Sequence, residues 1–346
     1  MKRRSRRGFT LVELLVASTL GVILSLAAVA FVAHETQLLG FTHDRIEMSQ
    51  SARFAIDRLS ADLRLAGAAV GYDESGAFAG LELGTIPRGA AVFRSANRPI
   101  ALESGSFVTD DVAILLATGG YATIAAYNSG GAGQLCAGSG IQEDEVVLLR
   151  SEDGLSARTV RVRSIGGGVC RAGDCRDGCD DFTFDPDPSF LSGPDAADAS
   201  YENGLAAGRF RRVVWFVDTS DPDRPGIGRL RRAEGDCAAA DASCGELMAD
   251  GVESLQIRVL ERSGADWIDR TDTQGRLSTR DRLRVDLEIV VRSRRAQDHV
   301  QDPIALALEA GSCLPRCGES DSIARYAVRT SVEIKNASRL SYGGRR

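Results

Sequence analysis

The chain has 346 residues, 43% of them hydrophobic and 26% charged, a globular composition that excludes wholesale disorder. Its 42 basic and 48 acidic residues give a net charge of −6, and five of the basic residues precede Gly8, so the body is acidic and offers no general footprint for nucleic acid. Eight cysteines against three histidines, in a chain that opens like an export signal, favour disulfides in an oxidising compartment over thiol chemistry or a histidine-rich metal site.

From Phe9 to Val32 the sequence is almost wholly apolar, interrupted by Thr10, Glu13, Ser18, Thr19 and Ser25. These 24 residues are enough to cross a bilayer as a helix, and Lys2, Arg3, Arg4, Arg6 and Arg7 hold the preceding end in the cytoplasm. A cleaved secretory signal is the simpler alternative, with Ala28-Val29-Ala30 as its small-residue cleavage site. Glu13 argues for something else. A charged group costs about 3 kcal/mol at the centre of a membrane helix and less near its end, so a carboxylate here needs a partner.

The run Arg7-Gly8-Phe9-Thr10-Leu11-Val12-Glu13-Leu14-Leu15 closely resembles the processing motif of type IV prepilins. The resemblance implies that a prepilin peptidase cuts after Gly8, that Phe9 becomes the N-methylated first residue, and that Glu13 partners an N-terminal amine during filament assembly. The physical chemistry agrees with this reading. A cationic amine from an adjoining subunit compensates a carboxylate in low dielectric, and the unpaired charges disfavour a subunit entering out of register.

Past the apolar run the helical period continues. Ala52, Ala55, Ile56, Leu59, Leu63 and Ala66 share one face, while Arg53, Asp57, Arg58, Asp62 and Arg64 fall largely on others. Gly67, reinforced by Gly71, is the first stop signal. A helix from Phe9 to about Ala66 would be about 87 Å long at about 1.5 Å per residue. Ala17, Gly21 and Ser25 recur every four residues and would allow close approach of neighbouring helices. The first proline is Pro87, so this helix has no proline to break it.

Beyond Gly71 the pattern changes to short β-rich runs separated by Gly, Asp, Ser and Pro. Strands are predicted at 111–116, 145–150, 159–165, 211–218, 228–232, 252–260, 283–292 and 326–334. In one of them Val285, Leu287, Ile289 and Val291 alternate with Asp286, Glu288 and Val290, which suits an antiparallel sheet with one buried face for the helix to pack on. Ala52 to Gly67 and Asp250 to Gln256 resemble the helix exit and a later strand entry of PilW-like minor pilins. Thr330 to Asn336 is similar to the closing strand of those proteins and of the J-type minor pseudopilins of type II secretion.

The expected fold is therefore α+β and pilin-like: a long N-terminal helix packed on an antiparallel sheet domain with long disulfide-bearing insertions. Residues 1–8 would be the leader, 9–33 the membrane and filament-core helix, 34–67 its amphipathic continuation, and 68–346 an extracytoplasmic β-rich domain. Insertions are expected near 120–140, 166–208 and 233–247.

For chemistry the sequence offers little. Cys136, Cys170, Cys175, Cys179, Cys237, Cys244, Cys313 and Cys317 form no CxxC pair and have no histidine near them in sequence, so disulfides are expected and zinc is not. Only the local pairs Cys237 with Cys244 and Cys313 with Cys317 suggest themselves. Asp174, Asp177, Asp180 and Asp181 are hard-oxygen candidates for calcium, but their spacing reproduces no EF-hand and a solvated acidic loop accounts for them. No GxSxG, HExxH or phosphate-cradling glycine loop is present. His34 and His43 fall in the long helix, and His299 is expected in a polar connection.

No cofactor is expected, and no enzyme. The resemblance implies a minor pilin of a type IV pilus that joins other minor and major pilins at a tip complex and primes assembly by the inner-membrane machinery. The alternatives are a minor pseudopilin of a type II secretion system and a tip-displayed adhesin. In each case the chain would sit first in the inner membrane, among lipid, with its C-terminal domain periplasmic, and then at the pilus tip or cell surface.

Overall fold

The computed structural model describes residues 10–66, 81–82, 92–102, 105–152, 157–170, 175, 178–186, 191–192, 200–234, 245–269, 283–301, 304–305, 308, 313–314 and 321–334. Gly8, Phe9, Gly67, Gly71, Asp174, Asp177, Cys237, Cys244 and Cys317 lie outside these residues.

Helix α1 (Leu11–Leu65) is one unbroken run of 55 residues, about 82 Å at about 1.5 Å per residue. Thr10 caps it in extended conformation, and it stops where Ala66 turns extended and bridges Leu116 instead of continuing the ladder. The stop therefore comes just before Gly67 and owes nothing to a left-handed residue among those described.

Nineteen strands are present among the described residues. In chain order they are β1 (Leu81–Glu82), β2 (Val92–Leu102), β3 (Gly105–Ala117), β4 (Tyr121–Asn128), β5 (Ala132–Cys136), β6 (Val146–Arg150) and β7 (Ala157–Gly168). Then follow β8 (Cys179–Pro186), β9 (Leu191–Ser192), β10 (Leu205–Ala207), β11 (Phe210–Asp218), β12 (Arg229–Glu234) and β13 (Glu246–Asp250). The last are β14 (Val252–Ser263), β15 (Asp266–Asp269), β16 (Leu283–Gln301), β17 (Ile304–Ala305), β18 (Cys313–Leu314) and β19 (Asp321–Ile334). Each of the eight predicted strands lies wholly or almost wholly within one of these, and His299 falls inside β16 rather than in a connection.

Two antiparallel sheets share one core with the second half of α1. The five-stranded sheet runs β13-β12-β11-β3-β2 and the four-stranded sheet β15-β14-β16-β19. Ala52, Ala55, Ile56, Leu59, Leu63 and Ala66 are all buried here with Val213, Trp215, Val285, Leu287, Ile289 and Val291. Side chains of β3 and β14 stitch the two sheets together. Thr109 Oγ1 accepts from the Leu255 amide at 3.1 Å, Asp110 Oδ2 accepts from the Ile257 amide at 2.8 Å, and Gln256 Nε2 donates to the Val108 carbonyl at 2.9 Å. The expectation of one solvent-facing side for β16 fails at Glu288 and Val290, both fully buried: Glu288 takes hydrogen bonds from Arg329 Nε at 2.6 Å and from the Leu308 amide at 3.1 Å, so its burial is compensated.

The segments expected as insertions near 120–140 and 166–208 supply strands of a second unit, a closed six-stranded barrel in the order β10-β4-β5-β8-β7-β6. Its own core gathers Ile124, Leu135, Val147, Leu149, Val160, Val162, Phe182, Phe184 and Tyr201. The barrel grows from the tip of the β3–β11 pair. Ala117 pairs with Phe210, the ladder continues as the Gly119 amide donates to the Gly208 carbonyl at 2.9 Å, and the Gly208 amide donates to Gly120 at 2.8 Å. Glycine is required in this neck by close approach: a Cβ on Gly119 would stand 2.5 Å from the Gly208 carbonyl carbon, and one on Gly120 1.4 Å from the Ser139 oxygen. The barrel is also docked. Leu148 of β6 and Leu205 and Ala207 of β10 face the main core, while their neighbours Val147, Leu149 and Ala206 face the barrel interior.

Candidate functional site

The functional features begin at the N-terminal end of α1. Thr10 and Glu13 form a reciprocal cap: the Glu13 amide donates to Thr10 Oγ1 at 3.3 Å, and the Thr10 amide and hydroxyl donate to Glu13 Oε2 at 2.9 and 3.0 Å. This satisfies backbone donors that no helix can satisfy within itself at its first turn. Both Thr10 donors go to one oxygen, Oε2. Among the described residues, Glu13 Oε1 receives no hydrogen bond and the side chain is exposed.

From Thr10 to Leu39 every residue is exposed, and the most apolar 18-residue window has mean hydropathy 2.4 with none of it buried. The hydroxyls of this stretch nonetheless bond back to the helix. Ser18 donates to the Leu15 carbonyl at 2.9 Å, Thr19 to Val16 at 2.9 Å, and Ser25 to Gly21 at 2.8 Å. Between Leu14 and Val32 the hydroxyls bond back to the helix and the surface is otherwise apolar, a build suited to hydrocarbon or to other apolar helices. A Cβ on Gly21 would meet nothing within 4 Å, so its smallness answers to no neighbour inside the described chain.

The same residues carry the prokaryotic N-terminal methylation motif, which matches residues 3–29. This protein is type IV pilin-like. The motif implies membrane anchoring, processing by a prepilin peptidase and contact with other pilins, and type IV pilin-like proteins are a structural, non-enzymatic family. Among solved structures, a type IV-like pilin from Thermus thermophilus is similar at 13% identity, over 57% of this chain and 86% of that one, with a TM-score of 0.22. No curated protein matches the chain in sequence. The pilin-like architecture here is the apolar helix with its second half on antiparallel sheets, together with disulfides.

Where the helix of this pilin-like chain meets its sheets, a buried polar lock holds it. Asp62 is only 4% exposed, against the expectation that it lay off the packed face. Its Oδ2 accepts from Trp215 Nε1 at 3.0 Å and from Arg232 Nε at 2.7 Å, and Oδ1 accepts from Arg232 Nη2 at 3.4 Å. Burial alone would lower the Arg232 pKa, but the hydrogen bonds and charges of Asp62 and Glu234 outweigh it and hold it above the ordinary arginine value. A second buried pair, Arg325 with Glu253, ties β19 to β14, with Nε to Oε2 at 2.5 Å.

The cysteines left without partners by the sequence, Cys136, Cys170, Cys175 and Cys179, are the ones the barrel brings together. Cys136 is bonded to Cys175 and Cys170 to Cys179, each with Cα atoms 5.2 Å apart, inside the range a disulfide needs. Among the described residues no cysteine is free. The pairs expected at Cys237–Cys244 and Cys313–Cys317 lie outside the description. Of the calcium candidates, Asp180 and Asp181 are consecutive on β8 and so point to opposite faces; Asp181 Oδ1 is taken by Gln134 Nε2 at 2.6 Å. They do not converge.

Proposed function

We propose that this protein is a minor pilin of a type IV pilus, PilW-like in kind, which joins a tip complex with other pilins and primes filament assembly. The observation that carries the reading is the combination of a bare apolar half-helix, capped at Thr10–Glu13, with a head too large to repeat at every lattice position. That head holds two sheets and a barrel. In this reading residues 1–8 are the leader, Gly8 is the cleavage site, Phe9 is the methylated mature N-terminus, and residues 9–33 span the inner membrane before entering the filament core. Residues 34–67 carry the head, and 68–346 are extracytoplasmic. Glu13 attracts the amine of an adjoining subunit through Oε1, the oxygen its own cap leaves open.

Intact-mass analysis of the membrane form tests the processing step: a chain beginning at methylated Phe9 agrees with it, whereas one beginning at Phe31 means a secretory signal was removed. Deleting the gene tests the role. Loss of pili with secretion intact is the expected result, and loss of secretion with intact pili moves the protein to a type II pseudopilin tip.

A further inference from the structure

The barrel has two seams, and they are held in different ways. Two hairpins, β4–β5 and β6–β7, are bridged on one side by β10, which pairs with β4 and β6, and on the other by β8, which pairs with β5 and β7. The β10 seam is anchored to the head, because Leu205 and Ala207 of β10 and Leu148 of β6 belong to the main core. The β8 seam has no such support: none of the described residues of β5, β7 or β8 is part of that core. Alone, β8 is a poor strand. Asp180, Asp181 and Asp185 and the closing Pro186 are residue types depleted in strands. Yet the barrel interior depends on it, since Phe182 and Phe184 point inward and Phe184 stacks on Tyr127 with ring centroids 5.6 Å apart.

Both disulfides found among the described residues sit on this weaker seam. Cys179 opens β8 and is the register partner of Cys136, which ends β5, and of Gly168, which ends β7. Cys170–Cys179 ties the end of β7 to β8 itself, and Cys136–Cys175 ties the end of β5 to the chain just before β8. We propose that oxidation closes the barrel. With these cysteines reduced, the head and the β10 seam stay folded while β8 leaves its place between β5 and β7; forming the two bonds returns it, because cross-links remove much of the freedom of the open chain. The inference rests on how the barrel is built and is independent of the pilus reading. A chain still in a reducing compartment thus carries a complete head and an unfinished barrel, and arrival in an oxidising one completes it.

The oxidant is a disulfide, small or carried by another protein. For each bond one cysteine thiolate attacks its S–S bond, one half leaves, and the second cysteine displaces the other half from the mixed disulfide. Two electrons pass from the cysteine sulfurs to the oxidant, and the two cysteine protons end on its two thiols. Two equivalents close the barrel, and the same exchange run backwards opens it. The two units carry separate reporters. Trp215 and Trp267 lie in the head, whereas Tyr127 and Tyr201 meet inside the barrel with ring centroids 4.8 Å apart. Burial above all, and then the neighbouring Tyr127, pushes the Tyr201 phenol well above the ordinary tyrosine value, so its titration follows barrel closure.

The test compares the full-length chain in detergent before and after reduction with a phosphine. The Phe184 amide donates to the Gly131 carbonyl at 2.9 Å; once reduced, its hydrogen exchange should speed up at least about a hundredfold, the low end of what two such cross-links contribute. The Leu255 and Ile257 amides, which bind Thr109 and Asp110 across the two sheets, should keep their protection, and tryptophan emission should not move. Tyr201 should then ionise in the ordinary tyrosine range, and a small disulfide should reverse every change. Reduction also reaches Cys237, Cys244, Cys313 and Cys317. A variant combining Cys136→Ala, Cys170→Ala, Cys175→Ala and Cys179→Ala should therefore show the same fast Phe184 exchange without reductant. Unchanged Phe184 protection in the reduced chain overturns the proposal, because the barrel then closes without its bonds. Loss of protection at Leu255 and Ile257 together with Phe184 also overturns it, by making head and barrel one unit. Slow Phe184 exchange in the four-alanine variant does so too, by assigning the effect to the other cysteines.

Discussion

Leu11 to Leu39 and Met48 to Leu63 belong to one unbroken helix, yet the first stretch is exposed throughout while the second has Ala52, Ala55, Leu59 and Leu63 wholly inaccessible. The difference lies in how polar groups are satisfied. In the first stretch every hydroxyl bonds back to its own helix and Glu13 to its own cap, so the segment asks nothing of the head. In the second stretch Asp62 is satisfied, among the described residues, by Trp215 and Arg232, far away in sequence, so this part of the helix is bound to its sheets. A half that is satisfied by itself and a half locked to the sheets are joined in a single element.

Asp62→Leu breaks this arrangement most severely. It leaves Arg232, whose side chain is 4% exposed, with Glu234 as its one remaining charged partner among the described residues, and losing one member of a buried pair costs about 3 kcal/mol or more. A lower urea midpoint followed by tryptophan emission is the measurement. Asp62→Leu combined with Arg232→Met should recover much of the loss, because no buried charge is then orphaned; a double variant as unstable as the single one would locate the defect in packing instead. Trp215→Phe is next, at about 2 kcal/mol, from one hydrogen bond to a carboxylate and a partly emptied core position. It should leave Arg232 and Asp62 paired.

Much of this was legible in sequence, for physical reasons that also explain what was not. The apolar run and the period-two strands are local patterns, and the helix face from Ala52 to Ala66 follows from spacing alone. Asp62 could not be read, because a carboxylate next to an apolar stripe looks solvated until its distant partners are known. Thr10 is legible: Thr-x-x-Glu before an apolar run is a capping-box signature, though the same Glu13 also reads as a membrane carboxylate. The strand at β8 was hidden by its acidity. Asp181, Phe182, Thr183, Phe184 and Asp185 alternate, with both Phe side chains buried in the barrel, yet the aspartates made the segment look like a loop. The four barrel cysteines were beyond local reading, since their pairing depends on barrel closure.

Acid separates the two halves of the helix more gently. Hydrogen bonds from Arg325, above all, hold the Asp321 carboxylate below its ordinary value, against a smaller opposing effect of burial. A folded-state pKa depressed below the unfolded one contributes stability above the unfolded value and loses it as pH falls through the folded value. The head's urea midpoint should therefore fall on acidification below about pH 4. Asp321→Asn should flatten that acid limb at a cost below about 1 kcal/mol near neutrality, since a quarter of the Asp321 side chain is exposed. An acid limb as steep as wild type would assign the effect to other carboxylates.

The smallest effect on stability is expected at Glu13, and there the two halves of the helix can be told apart most cleanly. The residue has two separable roles, the cap on Thr10 and the proposed attraction for a neighbouring amine. Glu13→Gln keeps a side chain able to complete the cap but removes the charge. Glu13→Val removes both, and it also eases residence in the bilayer because no carboxylate remains there. Neither touches the head, so the urea midpoint and the membrane level of each variant should match wild type. If charge drives assembly, both variants should be depleted from sheared filaments to the same degree. Normal incorporation of the Gln variant with loss of the Val variant would make the cap the working feature, and loss of either from the membrane fraction would show that the first half of the helix is not independent of the head after all.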